Sequence, residues 1–412
     1  MSAGGIVTIH PGCAAGRVMA PPSKSIAHRL LIGAALAEGE SVIRHLAASE
    51  DMLATADCLR ALGASVEGPE SGVCAVRGIS GRPRGDVAAV RHLYCRESGS
   101  TLRFLLPLCL LDGVKSVLHG KGRLLARPLG IYEELCRERG IAFEQNAECV
   151  TVCGRLTAGD YIMRGDVSSQ FITGLLLALP QLEGDSRIKL TTHLESRSYL
   201  DLTADALRTF GIRIKWVSER EIFIPGGQRY RAVDAAVEGD HSSAAFLGAL
   251  NAVGGDVIID GLREDSLQGD RVWKKHLDAL AAGSPTISLA DCPDLGPVLM
   301  AVAAAGQGAV FTDAARLRIK ESDRGAAMAR ELWAFGVPLN ITQDGAVIEV
   351  PGGMLRAPDR VLDGHNDHRI VMALSVLCTM TGGTVTDAYA VAKSYPDFFE
   401  VLSALGIRCQ WN

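Results

Sequence analysis

The sequence predicts an α/β fold of two similar domains, each assembled from three copies of a β-α-β-α-β-like unit. Three observations carry that prediction. A polar turn followed by a wholly apolar run recurs six times along the 412 residues. Each run leads into a short β-branched segment and then an amphipathic stretch, most of which end in Gly. The copies are spaced at a near-constant step, the mark of a repeated supersecondary unit. A chain of this length also exceeds one ordinary core, so two domains are expected from size alone.

The six copies open with "APPSKSIAHRLLIGAALAEGE" (20–40), "RESGSTLRFLLPLCLLDG" (96–113), "GDVSSQFITGLLLALPQLEG" (165–184), "GDHSSAAFLGALNAVGG" (239–255), "CPDLGPVLMAVAAAGQG" (292–308) and "HNDHRIVMALSVLCTMTGG" (365–383). With Ser25, Ser98, Ser168, Ser242, Asp294 and Asp367 as anchors, the steps are 73, 70, 74, 52 and 73 residues. Each apolar run is long enough for a three-turn helix and apolar on every side, so it is expected to be buried. The Ser or Asp at its start is a candidate cap, and the Gly beyond it a candidate stop. The following segments "SVIRHL", "KSVLHG", "RIKLTTHL", "DVIIDGL", "GAVFTDA" and "GTVTDAYAV" read as strands. Stretches such as "DMLATADCLRALGA", "LTADALRTFGI" and "ARELWAFGV" read as amphipathic helices, each leading into a further strand. The short step marks the fourth copy as reduced, with a strand or hairpin missing around 281–292. Gly- and Pro-bearing segments at 16–24 and 224–240 are the expected crossings between domains.

Composition narrows the function. The chain is 48% hydrophobic, 22% charged and 5% aromatic, with a net charge of −5. An acidic balance with few aromatics argues against a broad nucleic-acid footprint or an RNA-binding repeat protein, so any cationic site must be local. The 11 cysteines are spread singly. Cys149 and Cys153 sit four apart on an expected strand with no histidine nearby, which makes reduced thiols the better reading than a metal site. Free thiols point to a reducing, cytoplasmic setting. The N-terminal residues lack the basic-then-apolar pattern of a secretion signal, and no apolar run approaches the ~18 residues of a membrane helix.

The chemistry-bearing residues gather at the starts of the six runs. The first half offers Lys24, Ser25, Arg29, Arg103, Arg127, Ser168, Ser169, Gln170, Ser196 and Tyr199. The second half offers Asp294, "RIKESDR" (318–324), "NDHR" (366–369) and Lys393. Taken singly, a Ser pair is a cap, "KESDR" is a solvated charge run, and His28 and His368 are structural hydrogen-bonders. Their recurrence at one topological position, with cations from both halves, points instead to a site for multiply charged small anions. Arg would grip carboxylate or phosphate as a fork and Lys as a point charge. There is no G-x-x-x-x-G-K-[ST], G-x-S-x-G or H-E-x-x-H pattern. Asp294, Lys320 and Glu321 are the acid–base candidates, with Lys24 in reserve. Lys320 and Glu321 are adjacent, so both can face one pocket only if they lie on a loop.

"APPSKSIAHR", "ESGSTLRF", "GDVSSQF", "KESDR", "NDHR" and "AKSYPDFF" together resemble the 5-enolpyruvylshikimate-3-phosphate synthase family, in order from about residue 7 to the end. The resemblance implies two domains of three βαβαββ-type units each, the inside-out α/β barrel of the enolpyruvyl transferases. It assigns 20–237 to one domain and 1–19 plus 238–412 to the other, with the active site in the cleft between them. It implies transfer of the enolpyruvyl group of phosphoenolpyruvate to the 5-hydroxyl of shikimate 3-phosphate, through a tetrahedral ketal phosphate that eliminates phosphate. No metal or organic cofactor, nucleic acid or membrane would take part, and the protein would be a monomer.

By the same resemblance, Ser25, Arg29, Ser168, Ser169, Ser196 and Lys320 would hold shikimate 3-phosphate, with Tyr199 against its ring and Gln170 touching both substrates. Lys24, Gly99, Arg127, Arg324, Arg369 and Lys393 would hold phosphoenolpyruvate. Asp294 would bind, orient and deprotonate the 5-hydroxyl, Glu321 would protonate the methylene carbon, and Lys24 or Lys320 would share the proton transfers. Gly99 would let the backbone approach phosphoenolpyruvate closely. The chain departs from many members in carrying Arg316 for Asn, Glu97-Ser98-Gly99-Ser100 for Asn-Ala-Gly-Thr, and Phe104 for Pro. These changes ring the pocket where glyphosate competes in the family. The alternative is the sister transferase acting on UDP-N-acetylglucosamine, which typically uses a loop Cys; here Cys109 lies within an apolar run and Cys95 precedes the Ser/Gly turn.

Overall fold

A computed structural model describes residues 4–81 and 89–412. They fall into two compact lobes, Pro22–Val237 and Met1–Pro21 with Glu238–Asn412. Twelve α-helices are present among the described residues, two per repeat. In the first lobe they are α1 (Lys24–Leu36), α2 (Glu50–Ala61), α3 (Gly99–Cys109), α4 (Gly130–Glu138), α5 (Ser169–Ala178) and α6 (Arg197–Thr209). In the second lobe they are α7 (His241–Ala252), α8 (Trp273–Ala282), α9 (Gly296–Ala305), α10 (Arg324–Ala334), α11 (His368–Thr381) and α12 (Phe398–Ala404).

The odd-numbered helices are the apolar runs, and they form the cores. In α9 every residue from Gly296 to Ala304 is buried, and in α11 every residue from His368 to Thr379. A helix surrounded on all sides can carry no charged stripe, which is why these runs lack the helical alternation that the even-numbered helices show. Close packing is visible at Gly33 of α1 and Gly248 of α7. A Cβ at either position would collide with an aromatic ring, Phe210 and Trp273 respectively. The Gly that follows an outer helix stops it in a left-handed conformation, as at Gly63 (φ +104°) and Gly211 (φ +80°).

The strands fall where the β-branched segments predict them. Three four-stranded sheets belong to the first lobe. Their strand orders are 235–236, 40–44, 73–77, 65–67; then 90–94, 115–119, 149–153, 142–145; and then 159–163, 186–190, 221–224, 215–218. In each, the first pair is parallel and the other two are antiparallel. The fifth repeat builds the same sheet from 286–288, 308–312, 348–351 and 340–341.

The N-terminal segment completes the remaining two. Strand 7–9 lies antiparallel between 383–385 and 409–411, the place that 73–77, 149–153, 221–224 and 348–351 fill in the four-stranded sheets from within their own repeats. Strand 15–19 pairs in parallel with 256–260. The fourth repeat is shortened as its step predicts. From the end of α8 at Ala282 the chain passes directly to 286–288, which pairs into the next sheet, so the antiparallel hairpin is missing.

Candidate functional site

In the first lobe the opening turns of five helices meet, and side chains tie them together. Arg29 is buried and spends its guanidinium on Thr203 Oγ1 (2.9 Å), the Ser25 carbonyl (2.6 Å) and the Tyr199 carbonyl (3.0 Å), joining α1 to α6. It also lies 5.1 Å over the Phe104 ring, so this departure from the family pattern packs against a predicted site residue. Burial lowers the Arg29 pKa to about 10. His28 Nδ1 meets Thr55 Oγ1 at 2.8 Å, and Thr55 continues to Thr101 Oγ1 at 2.7 Å, linking α1, α2 and α3. Burial, with Lys24 and Arg29 nearby, holds the His28 pKa well below its usual value. His28 is thus the structural histidine that its isolated reading suggests.

The predicted phosphoenolpyruvate contacts of this lobe are also assembled. Lys24 Nζ pairs with Asp51 at 2.9 Å. Gly99 sits so close to Arg127 that a Cβ there would lie 2.6 Å from Nη1. Arg103 donates to Gln170 Oε1 (2.7 Å), and Gln170 Nε2 donates to Ser100 Oγ (3.0 Å), so α3 and α5 present these groups side by side. Ser168 accepts from the Gln170 N–H (3.3 Å), Ser169 is buried in the first turn of α5, and Ser25 is half-buried in the first turn of α1. Ser196 precedes α6 with φ +54°, a left-handed conformation uncommon for a residue with a Cβ and concentrated at functional sites.

In the second lobe the groups converge on one carboxylate. Asp294 receives Lys320 Nζ at 3.2 Å, Arg324 Nη1 at 2.8 Å and Arg369 Nη2 at 3.3 Å. Arg324 is buried and forked further, to Glu321 Oε2 (2.7 Å) and to Asp367 (2.8 and 3.3 Å). Ser322 also donates to Asp367 (3.0 Å), and Lys393 Nζ donates to the Asn366 carbonyl (2.6 Å). Lys320 and Glu321 follow the short helical turn Ala315–Ile319 in non-helical chain, so both reach the same cluster.

The electrostatics follow from the geometry. Burial would raise the Asp294 pKa, but Arg369, Lys320 and Arg324 together hold it well below the carboxylate range. Burial lowers Lys320 to about 8 despite Asp294, with Arg324 and Arg316 adding to the effect. Burial acts against the Arg324 charge, yet Asp367, Glu321 and Asp294 outweigh it and raise that pKa. Arg316 makes a long contact to the Ala290 carbonyl (3.4 Å) and adds a cation beside Lys320. Asp270 is buried, accepts from Ser242, and is raised to about 7 by burial and by Asp294.

Two expectations need correction or extension. Capping holds at Ser98, Ser168 and Asp367, but Ser25, Ser242 and Asp294 do not stand at the cap positions of α1, α7 and α9. α1 already begins at Lys24, so Ser25 is inside it; Asp240 caps α7; and Asp294 lies in a separate short turn, Pro293–Leu295, ahead of α9. The sequence assigns Asp51 and Asp270 no role and Asp367 only that of a cap, yet all three neutralise or abut the cations. Their signal was acid at or near a helix start, which reads equally well as ordinary dipole complement.

Comparison with known proteins bears on what this arrangement does. A sequence model of the family described as EPSP synthase (3-phosphoshikimate 1-carboxyvinyltransferase) matches residues 10–402. The chain is 39% identical to a 3-phosphoshikimate 1-carboxyvinyltransferase of Clostridium kluyveri, over 97% of each chain. It is 38% identical to one of Clostridium beijerinckii, over 99% of each. A solved EPSP synthase structure from Acinetobacter baumannii superposes with a TM-score of 0.78 at 26% identity, covering 99% of this chain and 100% of that one.

Proposed function

The chain belongs to the EPSP synthase family, and from that premise we propose which of its side chains hold and activate the substrates. It transfers the enolpyruvyl group of phosphoenolpyruvate to the 5-hydroxyl of shikimate 3-phosphate and releases phosphate. UDP-N-acetylglucosamine is not the favoured acceptor. No helix among the described residues is long and apolar enough to cross a membrane. A cytoplasmic monomer is the form we propose.

The convergence of Lys320, Arg324 and Arg369 on Asp294 carries the assignment. Three cations meet at one carboxylate, preassembled as hydrogen-bond donors, and both substrates bring phosphate and carboxylate groups that can take the place of Asp294 and Glu321 on them. Arg324, Arg369 and Lys393, with Lys24, Gly99 and Arg127 from the other lobe, take phosphoenolpyruvate. Ser25, Arg29, Ser168, Ser169, Ser196, Tyr199 and Lys320 take shikimate 3-phosphate, and Gln170 touches both.

As substrate anions engage the cations, Asp294 and Glu321 lose ion-pair partners, and the Asp294 pKa rises toward the range useful for catalysis. Glu321 then delivers a proton to the methylene carbon, while the 5-oxygen attacks the adjacent carbon and gives its proton to Asp294. Collapse of the ketal breaks its carbon–oxygen bond to phosphate while the Glu321 carboxylate takes a proton back from the new methyl group, restoring the double bond. Lys24 and Lys320 stabilise the phosphate charge and are placed to share these transfers.

Steady-state phosphate release tests the roles. Asp294→Ala should keep both KM values within about threefold while kcat falls about a thousandfold, the scale of a lost general base. Lys393→Ala should mainly raise KM for phosphoenolpyruvate. The reverse pair of profiles would overturn the assignment.

A further inference from the structure

A cluster outside the groups assigned to substrate lies behind the turn that carries Arg369. Glu331, on α10, is wholly buried. Its carboxylate accepts from Arg360 Nη1 (2.8 Å), from the Asp363 N–H (3.1 Å) and, through the other oxygen, meets His365 Nε2 (3.1 Å). All three partners come from 360–365, the segment that leads into the turn. A buried carboxylate without partners is strongly unfavourable, so this convergence fastens the segment to α10.

The same helix holds the turn a second time. Arg324 stands two turns before Glu331, on the same face. It binds Asp367 through Nε at 2.8 Å. Between these two anchors His365 and Asn366 are consecutive residues with left-handed backbones, φ +53° and +48°. Such conformations persist in non-glycine residues only where the surroundings impose them. Asn366 is held further by the Asp387 carboxylate on its N–H (2.9 Å), and its carbonyl receives Lys393 Nζ at 2.6 Å. Asp367 then caps α11, and Arg369 reaches Asp294.

We propose that the Glu331–His365 pair is a positioning strut: it holds the left-handed turn that orients Lys393 and Arg369 and so sets the affinity for phosphoenolpyruvate. This rests on the assignment of Lys393 and Arg369 to that substrate. His365 touches neither substrate in this scheme; it acts through the turn.

The strut is sensitive to pH in a defined direction. The charged and titratable groups around His365 are Glu331 and Arg330 from α10, and Arg360 and Asp363 from its own segment. The hydrogen bond to Glu331 raises the His365 pKa, supported by Asp363 and opposed by burial and Arg330. The ion pair is therefore present at low pH and is lost as pH rises through that raised pKa. Affinity for phosphoenolpyruvate should weaken over the same interval.

The test is phosphate release between about pH 6 and 9, where histidine titrates. Wild type, His365→Ala, His365→Gln and Lys393→Ala are compared with thermal melts alongside. His365 is partly exposed, so its variants should fold where a substitution at buried Glu331 would not. His365→Ala should raise KM for phosphoenolpyruvate about tenfold near pH 6, the scale of one charge-assisted hydrogen bond. Its kcat and its KM for shikimate 3-phosphate should stay within about twofold. His365→Gln, which keeps a donor but cannot titrate, should recover most of the affinity and show a flat profile where wild type rises with pH.

An unchanged KM in His365→Ala, equal changes in both KM values, or superimposable pH profiles for wild type and His365→Gln would each overturn the strut. If Lys393→Ala raises KM for phosphoenolpyruvate while His365→Ala does not, the strut alone falls. If Lys393→Ala has no such effect, the substrate assignment falls and takes the strut's purpose with it.

Discussion

Gly99→Ala should separate stability from affinity. Gly99 is the first residue of α3, behind the Ser98 cap, where alanine suits the backbone better than glycine. Folding should therefore be unharmed, and the thermal midpoint unchanged or slightly higher. The added methyl would lie 2.6 Å from Arg127 Nη1, 2.9 Å from Cζ and 3.1 Å from Nη2. Ordinary carbon contacts need about 3.5 Å or more, so the guanidinium must retreat by roughly 1 Å. A misplacement of that size at a binding group costs up to about a hundredfold. We expect KM for phosphoenolpyruvate to rise about 10- to 100-fold, equivalent to about 1.4–2.7 kcal/mol. KM for shikimate 3-phosphate and kcat should move by less than about threefold. The assay is initial-rate phosphate release with each substrate varied at saturation of the other. If KM for phosphoenolpyruvate stays put while the protein melts normally, Arg127 absorbs the methyl freely and its contact with residue 99 does not set affinity.

Lys320 and Arg29 yield two further expectations. Burial lowers Lys320 to about 8, so its charge is lost as pH rises through that value, and KM for shikimate 3-phosphate should climb above about pH 8; Lys320→Arg, which stays charged, should flatten the climb. The same shift means that between about 8 and the ordinary 10.5 the unfolded chain binds the proton and the folded chain does not, so this group alone makes folding more favourable as pH rises across that window. Arg29→Met should lower the urea midpoint by the equivalent of about 3 kcal/mol, because it removes at once the guanidinium's bonds to Thr203 Oγ1 and to the Ser25 and Tyr199 carbonyls. An unaltered midpoint would show that these bonds contribute nothing net to folding.

The architecture was legible because its signals are local and repeated. Six runs without polar alternation could only be buried helices, and the 52-residue step from Ser242 to Asp294 announced the hairpin missing beyond α8. The insertion of strand 7–9 between 383–385 and 409–411 is different in kind, since pairing across nearly the whole chain leaves no periodic trace; family likeness gave only the expectation that 1–19 joins the second domain. Caps were legible only to within a residue or two. Ser25 and Asp294 stand at the right place in the repeat, yet one lies inside its helix and the other in a preceding turn.

The cations were visible in the sequence and their partners were not. Lys24 and Asp51 are 27 residues apart, Arg324 and Asp367 43 apart, and Arg369 and Asp294 75 apart. Nothing in the spacing of such pairs distinguishes them from surface charges. Glu331 was read as part of an amphipathic helix, and only the fold shows that its carboxylate faces inward to His365 and Arg360.

Those hidden partners explain how a chain of net charge −5 keeps so many cations in one lobe without substrate. Asp294, Glu321 and Asp367 balance Lys320, Arg324 and Arg369 internally, so the cations are held in place rather than repelling one another. Asp367 is wholly buried and caps α11, so it cannot leave its place. Asp294 and Glu321 are less enclosed, and they are also the two groups assigned to move protons. Substrate anions that displace these two from the cations do two things at once. They gain charge-assisted contacts already built, and they restore to Asp294 the basicity that its ion pairs suppress. Binding and proton transfer are then coupled through the same set of pairs. The removal of Asp294 should accordingly spare affinity while turnover falls steeply, because the cations it leaves behind are those proposed to grip the substrates.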